Sequence, residues 1–517
     1  IIHSYDEWGY DCIKRLRGIF AFGIWDNVKR TLLLGRDHLG VKPLYYYFDN
    51  DQLIFASELK AIMINNKVNK KLSMSSLVDY FTYGYVPHDK SIISDCFKLP
   101  AGHYLIFDGQ TYKISKYWSL DYTGEIKDEI ESVSFLKTLL EDSISSQLVS
   151  DVPKGIFLSG GIDSSSVYAI ANNIEPNIPA FTIGFEEEQE DESEYAKMVS
   201  SFLGNEQYLN NFSLENALEG LTIFSSIYDE PFYDGSGLPT YLLSRYTSKN
   251  VKVAIGGDGG DEVFAGYPWY DHLYQEYNTD DYQKMFLTGL YPLAKKMRLN
   301  SQKMSNLYYS KKHSLNIRDP LAMISHFMTR MARGNISRLI NPKLYDINDY
   351  DYNWLFKKFW LEDLPIVTRA QLLDINTYLV DDILVKVDRA SMANGLEVRV
   401  PLLDHKLVEG IFKISNTNVY KGRKYLFKKA VSDILPSRIL SNRKKGFGIP
   451  YKDWFNKKLY RVSHDLLSDG SLAGRGLINI DNLNVFIEKK DFKSVWQTLI
   501  LEIWARKWLD GENIKIK

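Results

Sequence analysis

The stretch Gly155-Ile156-Phe157-Leu158-Ser159-Gly160-Gly161-Ile162-Asp163-Ser164-Ser165 constrains this chain more than any other. Its apolar start, bounded by Pro153, reads as a buried strand, and Ser166-Val167-Tyr168-Ala169-Ile170-Ala171 reads as the opening of a helix. The residues between form a strand-turn-helix corner. Gly160 and Gly161 admit backbone angles closed to other residues, so a ligand can approach the main chain closely. Ser159, Ser164 and Ser165 add hydroxyl donors beside the free N–H groups of the first helical turn, and such a corner binds anions. A phosphate loop usually carries Gly-Lys-Ser/Thr here, yet this chain contains no Gly-Lys dipeptide, and Asp163 stands in the lysine's place. A carboxylate beside a phosphate is repulsive unless a cation lies between them, so Asp163 implies Mg²⁺.

A second corner has the same form. Val251-Lys252-Val253-Ala254-Ile255 runs into Gly256-Gly257-Asp258-Gly259-Gly260-Asp261-Glu262, with three carboxylates in five residues. Acids clustered in a glycine turn repel unless they hold cations or donors. From about residue 131 the pattern alternates helix with strand, including Ala180-Phe181-Thr182-Ile183-Gly184-Phe185, which predicts a parallel sheet with helices on its faces. Turns at the carboxyl ends of such a sheet converge on one crevice, which puts Asp261 near Asp163 as joint Mg²⁺ ligands. The acidic run from Glu186 to Glu194 reads mainly as a solvated helix entry.

Residues 18 to 118 differ. Short β-rich runs such as Ile19 to Trp25, Thr31 to Leu34, Leu44 to Phe48 and Leu53 to Ala56 are separated by turns, which predicts antiparallel hairpins. A helix at residues 72–83 should end at Gly84 and Pro87, and Asp108-Gly109 should turn another hairpin. Asp121 to Glu125 reads as a linker, and residues 271 to 370 as a helical cover. The expected division is 1–120, linker 121–130, and 131–517.

Composition excludes several classes. The net charge of −2 implies no polyanion partner, and no run of about 18 apolar residues suits a membrane. Nine scattered histidines offer no zinc spacing. Cys12 and Cys96 are too few for a disulfide framework and read as buried thiols in a protein of a reducing cytoplasm. The first residue is Ile1 and the opening reads as mid-helix, so a truncated N-terminus is expected.

The SGGIDSS corner resembles that of the PP-loop ATP pyrophosphatases. RLRGIFAFGIWD, GRDHLGVKPLYYY and FASELKAI resemble the later part of a class II glutamine amidotransferase domain, and the stretch from Tyr378 to His405 matches a signature of the glutamine-hydrolysing asparagine synthetase family. The resemblance implies an α/β chain: a partial αββα amidotransferase sandwich, then a PP-loop doubly wound parallel-sheet synthetase domain with helical cover. It implies ATP and Mg²⁺, with Leu158, Ser159, Gly160, Gly161, Asp163, Ser164, Ser165, Ile183, Gly256 and Gly257 around the nucleotide. Leu158 and Ile183 would line the adenine pocket.

The same resemblance assigns Asp258, where the family commonly has glutamate, to support of the acyl-adenylate, and Gly256 stands where serine is common. Asp388, Arg389 and Arg399, with Glu397, would wall the amino-acid pocket, although an ion-paired helical face such as Asp382 with Lys386 accounts for several of these charges. Asn442-Arg443-Lys444-Lys445-Gly446-Phe447-Gly448-Ile449-Pro450 matches a mobile loop whose lysine, Lys444 or in the next register Lys445, would reach the α-phosphate. The implied reaction makes asparagine from aspartate through β-aspartyl-AMP. Glutamine supplies nitrogen in a full-length enzyme, by way of an N-terminal cysteine, and ammonia supplies it here. A uronic acid or a peptide as acceptor, and a non-catalytic ATP-binding regulator, are the alternatives. Partners are small molecules, with neither nucleic acid nor membrane, and a homodimer is left open.

Overall fold

Between residues 21 and 116 seven strands pair only with antiparallel neighbours. β1 (Ala21–Asp26), β2 (Thr31–Arg36), β6 (His103–Phe107) and β7 (Tyr112–Lys116) form one sheet in the order β1-β2-β6-β7, while β3 (Tyr45–Asp49), β4 (Gln52–Ala56) and β5 (Cys96–Lys98) form a second in the order β4-β3-β5. Leu34, Tyr46, Leu105 and Phe107 come from both sheets and are buried in one cluster, as two facing sheets require. The computed structural model describes residues 1–49, 52–185, 193–279, 290–292, 319–441, 460–468 and 470–514.

Local chemistry sets the ends of these elements. The helix Met74–Tyr83 starts where the Ser73 hydroxyl accepts from the Ser76 N–H, and stops at Gly84, whose φ of 91° returns its N–H to the Tyr80 carbonyl. The Asp108 carboxylate accepts from the backbone of Gln110 and Thr111 and closes the β6–β7 hairpin. Cys12 and Cys96 are both buried, as expected, Cys96 in β5.

Five parallel strands follow: β8 (Lys154–Phe157), β9 (Ala180–Phe185), β10 (Gln207–Phe212), β11 (Val253–Ile255) and β12 (Glu397–Arg399), in the order β10-β9-β8-β11-β12. Every residue of β9 is buried, which explains its unbroken apolar run. Strands β8, β9 and β10 step to one side, and β11 then returns to the other side of β8. The order reverses between β8 and β11, so the crevice of this sheet lies at the carboxyl ends of those two strands. The two glycine corners leave the sheet there.

Helices cover the sheet, among them Glu129–Leu148, Ile162–Ile174 and Gly237–Thr247. In the expected helical cover, Pro320–Met328, Arg333–Leu339, Trp354–Phe359 and Ile366–Asp374 are helical, and a π-helical stretch Ile375–Ile383 runs on into the helix Leu384–Met392. One large apolar core joins both halves of the chain: it takes in Leu77, Tyr80 and Phe81 as well as Ile156, Phe181 and Trp504. No described helix is long and apolar enough to cross a membrane.

Candidate active site

At the carboxyl ends of β8 and β11 lies a cavity of about 550 Å³, lined on one side by Leu158, Ser159, Gly161, Asp163, Ser164 and Ile183. The Ser159 and Ser164 hydroxyls lie 3.0 Å apart, and the Gly161 N–H donates to the Ser159 hydroxyl at 3.3 Å. The Ser165 hydroxyl is buried and has no hydrogen-bond partner among the described residues. Gly160 has φ 76°, and a Cβ there would fall 2.6 Å from the Ala196 backbone nitrogen, so the corner needs glycine on two counts. The second corner presses against the first: a Cβ on Gly257 would come within 2.5 Å of the Ser164 nitrogen, and one on Gly260 within 2.5 Å of Asp163 Oδ1. These glycines are what allow two acidic turns to share one space.

Asp163 and Asp261 meet across that space. Lys424 bridges them, its ammonium 2.7 Å from Asp261 Oδ1 and in a shorter contact with Asp163 Oδ2. The lysine is buried, and its backbone is left-handed at φ 55°. Gly266 leaves room for it, since a Cβ there would sit 2.3 Å from Lys424 Cε. Sequence reasoning missed Lys424, because Lys421-Gly422-Arg423-Lys424 reads like any solvated basic run.

This arrangement fits Mg²⁺. Two carboxylates face one cation position, and Asp163 Oδ1 is buried without a hydrogen-bond partner. Mg²⁺ is typically held by one or two carboxylates with phosphate oxygens and water. No group of three or more His, Cys, Asp or Glu side chains among the described residues could form an all-protein metal cage.

The opposite wall is charged. Asp258, Asp234, Ser236, Tyr378 and Lys386 all line the same cavity. The Lys386 ammonium donates to Asp234 Oδ2 at 3.2 Å, and Ser236 donates to Asp234 Oδ1 through its backbone N–H at 2.9 Å and its hydroxyl at 2.7 Å. Burial alone would raise the Asp234 carboxyl, but Lys386 and the Ser236 donors hold it below the ordinary range. Asp382, buried behind them, is pushed well above that range by burial and by the neighbouring Asp234. Burial would depress Lys386, yet Asp234, Asp382 and Asp258 keep it charged. The helical pair expected between Asp382 and Lys386 is thus replaced by a partner from another element. Glu262, a further lining residue, accepts from the Tyr267 hydroxyl at 2.6 Å, and burial pushes its carboxyl up to about 7.

The expected acceptor wall is elsewhere. Asp388 is ion-paired to Lys42 at 2.8 Å, across the seam with the N-terminal half. Arg389 donates to the Ser57 carbonyl at 2.8 Å and lies 3.7 Å from Asp229. It also borders a small buried space, about 20 Å³, between the halves with Tyr45, Lys98, Glu230 and Asp381. Arg399 is spent on the carbonyls of Gln147 and Val149 and on Glu397, whose side chain is half exposed. None of these four lines the cavity: the helix Leu384–Met392 turns Lys386 and Val387 towards it and Asp388 and Arg389 towards the seam, while Glu397 and Arg399 of β12 pair with each other and Arg399 with the Gln147 and Val149 carbonyls. Gly256 donates its N–H to the Arg399 carbonyl at 2.8 Å and supports the turn from β11. Lys444 and Lys445 lie outside the described residues.

A family model described as asparagine synthase matches residues 136–506, and one described as a glutamine amidotransferase domain matches residues 1–118. Asparagine synthetase (glutamine-hydrolyzing) 1 of Bacillus subtilis is 28% identical over 98% of this chain and 80% of its own length. A provisionally named asparagine synthetase (glutamine-hydrolyzing) 2 of Methanocaldococcus jannaschii is 37% identical over 76% of this chain and 75% of its own. Amidase chyE of Penicillium rubens is 25% identical over 95% of this chain and 78% of its own length. With the two glycine corners, the paired acids and the first of these models spanning most of its length, the chain belongs to the asparagine synthase family.

Proposed function

We propose that this chain is an ATP-dependent amide ligase that makes asparagine from aspartate. The observation that carries the reading is the meeting of two glycine corners at which Asp163 and Asp261 face a single cation position. ATP lies with its adenine against Leu158 and Ile183 and its phosphates on the 159–165 corner. Asp163 and Asp261 would hold Mg²⁺, which when bound would supply positive charge to the phosphate oxygens. Lys424 moves from the two carboxylates to the β- and γ-phosphates. The aspartate side-chain carboxylate attacks the α-phosphorus, giving β-aspartyl-AMP and pyrophosphate, and ammonia then attacks the acyl carbon to release AMP. Lys444, or Lys445, offsets charge on the α-phosphate. Asp258 and the Asp234–Lys386 pair orient the acceptor, Lys386 offering a cation for a carboxylate and Asp234 an anion for an ammonium. Ammonia reaches the acyl carbon from the N-terminal half, and the polar space beside Arg389 supports a route across the seam. We assign residues 1–120 to the amidotransferase part, 121–130 to a linker and 131–517 to the synthetase.

The test is release of AMP and pyrophosphate from Mg·ATP with aspartate and ammonium chloride, with asparagine measured in parallel. Asp258→Asn and Lys386→Met should each lower aspartate-dependent turnover by about 100-fold or more, as loss of a single electrostatic group at a reacting centre commonly does. Absence of aspartate-dependent pyrophosphate would exclude asparagine as the product. A second reading keeps the chemistry and changes the acceptor to a uronic acid or a peptide. Asp258 in place of the longer glutamate and the likeness to a protein named an amidase support it. A panel of such acids in the same assay separates the two.

A further inference from the structure

Beside the main cavity is a second cleft of about 490 Å³, open to solvent, that no step above uses. Its walls are basic: Lys421, Arg423, Lys428 and Lys429, with Asp271 and Tyr425. Arg423 and Lys428 line both spaces, so the cleft is continuous with the site of the phosphates. Two carboxylates face these four cations. Asp271 pairs with Arg423 at 3.0 Å, and Glu129 is shared between the ammonium groups of Lys421 and Lys429. The Lys428 ammonium makes no hydrogen bond or ion pair among the described residues. It is half-buried, and burial together with Arg423 and Lys424 depresses its pKa, as expected of a cation held among cations. Basic side chains therefore follow one another from Lys424 at the paired acids, through Arg423 and Lys428, to Lys421 and Lys429 at the surface, and all but Lys428 pair with a carboxylate.

We propose that this cleft is an anion station that takes the pyrophosphate leaving the main cavity and passes it to solvent. The inference rests on the proposed cleavage of ATP between its α and β phosphates. A highly charged product held by a metal and a phosphate corner leaves slowly if the next available place is bare water, and product release often sets turnover. A graded row of cations gives it an intermediate partner at each step, in the way a charged cleft concentrates counter-ions. Pyrophosphate carries more negative charge than aspartate or AMP, so among the reactants and products it gains most from such a row.

The experiment uses the double variant Lys421→Ala/Lys429→Ala and the single variant Glu129→Gln, all outside the walls of the main cavity. Pyrophosphate alone is titrated calorimetrically into each protein, and the product-inhibition constant, the KM for Mg·ATP and single-turnover AMP formation are measured. The double variant should bind pyrophosphate about 5-fold more weakly, the worth of two solvent-screened charges. Glu129→Gln should bind it more tightly, while KM for Mg·ATP and the single-turnover rate stay at the wild-type values in both. Unchanged pyrophosphate affinity overturns the proposal. So does a matching change in KM for Mg·ATP, which would make the cleft a seat for the tail of bound ATP. If the wild type forms no AMP, the ligase reading fails by itself, and the pyrophosphate titration still reports whether the cleft holds a diphosphate.

Discussion

At the scale of single residues, Lys424 is the group that joins the two acidic corners. Its ammonium lies between the buried Asp261 carboxylate and the partly buried Asp163, so Lys424→Met removes the cation that the two acids share. Breaking a buried pair in this way costs about 3 kcal/mol or more. The variant should therefore melt well below wild type in EDTA and recover much of the loss as Mg²⁺ is titrated in; a deficit indifferent to Mg²⁺ would argue against a cation site there. Asp374 gives a second prediction. It is fully buried, accepts from Tyr270 at 2.5 Å and Trp269 at 3.0 Å, and burial still lifts its carboxyl to about 7. The folded state thus holds a proton that the unfolded chain has released. Its contribution is fully present below the ordinary aspartate value of about 3.9 and is lost as pH rises through about 7. Urea midpoints measured across that window should fall for the wild type relative to Asp374→Asn, which has no proton to lose.

At the scale of elements, function depends on how closely two turns approach. Gly257→Ala would bring a Cβ within 2.5 Å of the Ser164 nitrogen and push the β11 corner away from the β8 corner. A misplacement of about 1 Å at a reacting centre costs on the order of 100-fold in rate, so kcat/KM for Mg·ATP should drop by about that factor. Circular dichroism should stay native, because the clash lies in a turn and leaves the sheet intact. The strand-turn-helix form of both corners is legible in the sequence: an apolar run, then glycines and acids, then a helical period. The function of the helix Leu384–Met392 is not. Its charges sit all round it, and periodicity cannot say that Lys386 faces the cavity while Asp388 and Arg389 face the seam.

At the scale of the molecule, the two halves are joined by a polar seam. Arg17 reaches Asp404 at 2.8 Å and Asp142 at 2.6 Å, the Trp118 indole donates to Glu409 at 2.6 Å, and the rings of His38 and His405 stack with centroids 3.9 Å apart. Burial, with His405 next to it, lowers the His38 pKa to about 3. The neutral ring is favoured on folding, so its contribution is present above the ordinary histidine value of about 6.5 and is lost as pH falls from there towards 3. Wild type should lose stability through this window faster than His38→Asn, with the seam parting first by hydrogen exchange at residues 38–42 and 404–409. Parallel pH profiles for the two proteins would contradict this.

The sequence alone determined the fold class, the two corners and the pairing of Asp163 with Asp261, because those depend on short-range chemistry: glycine where a ligand approaches, carboxylates where a cation is needed, and a strand order that sends turns to one edge. Lys424, Asp234 and Lys386 became visible only in the tertiary structure, as did the transfer of Asp388, Arg389, Glu397 and Arg399 away from the cavity. Lys424 and Asp163 are 261 residues apart, and Lys386 and Asp234 are 152 apart. A charged side chain carries the same local signature whether it meets solvent, a seam or a substrate, and only the packing of distant elements decides which.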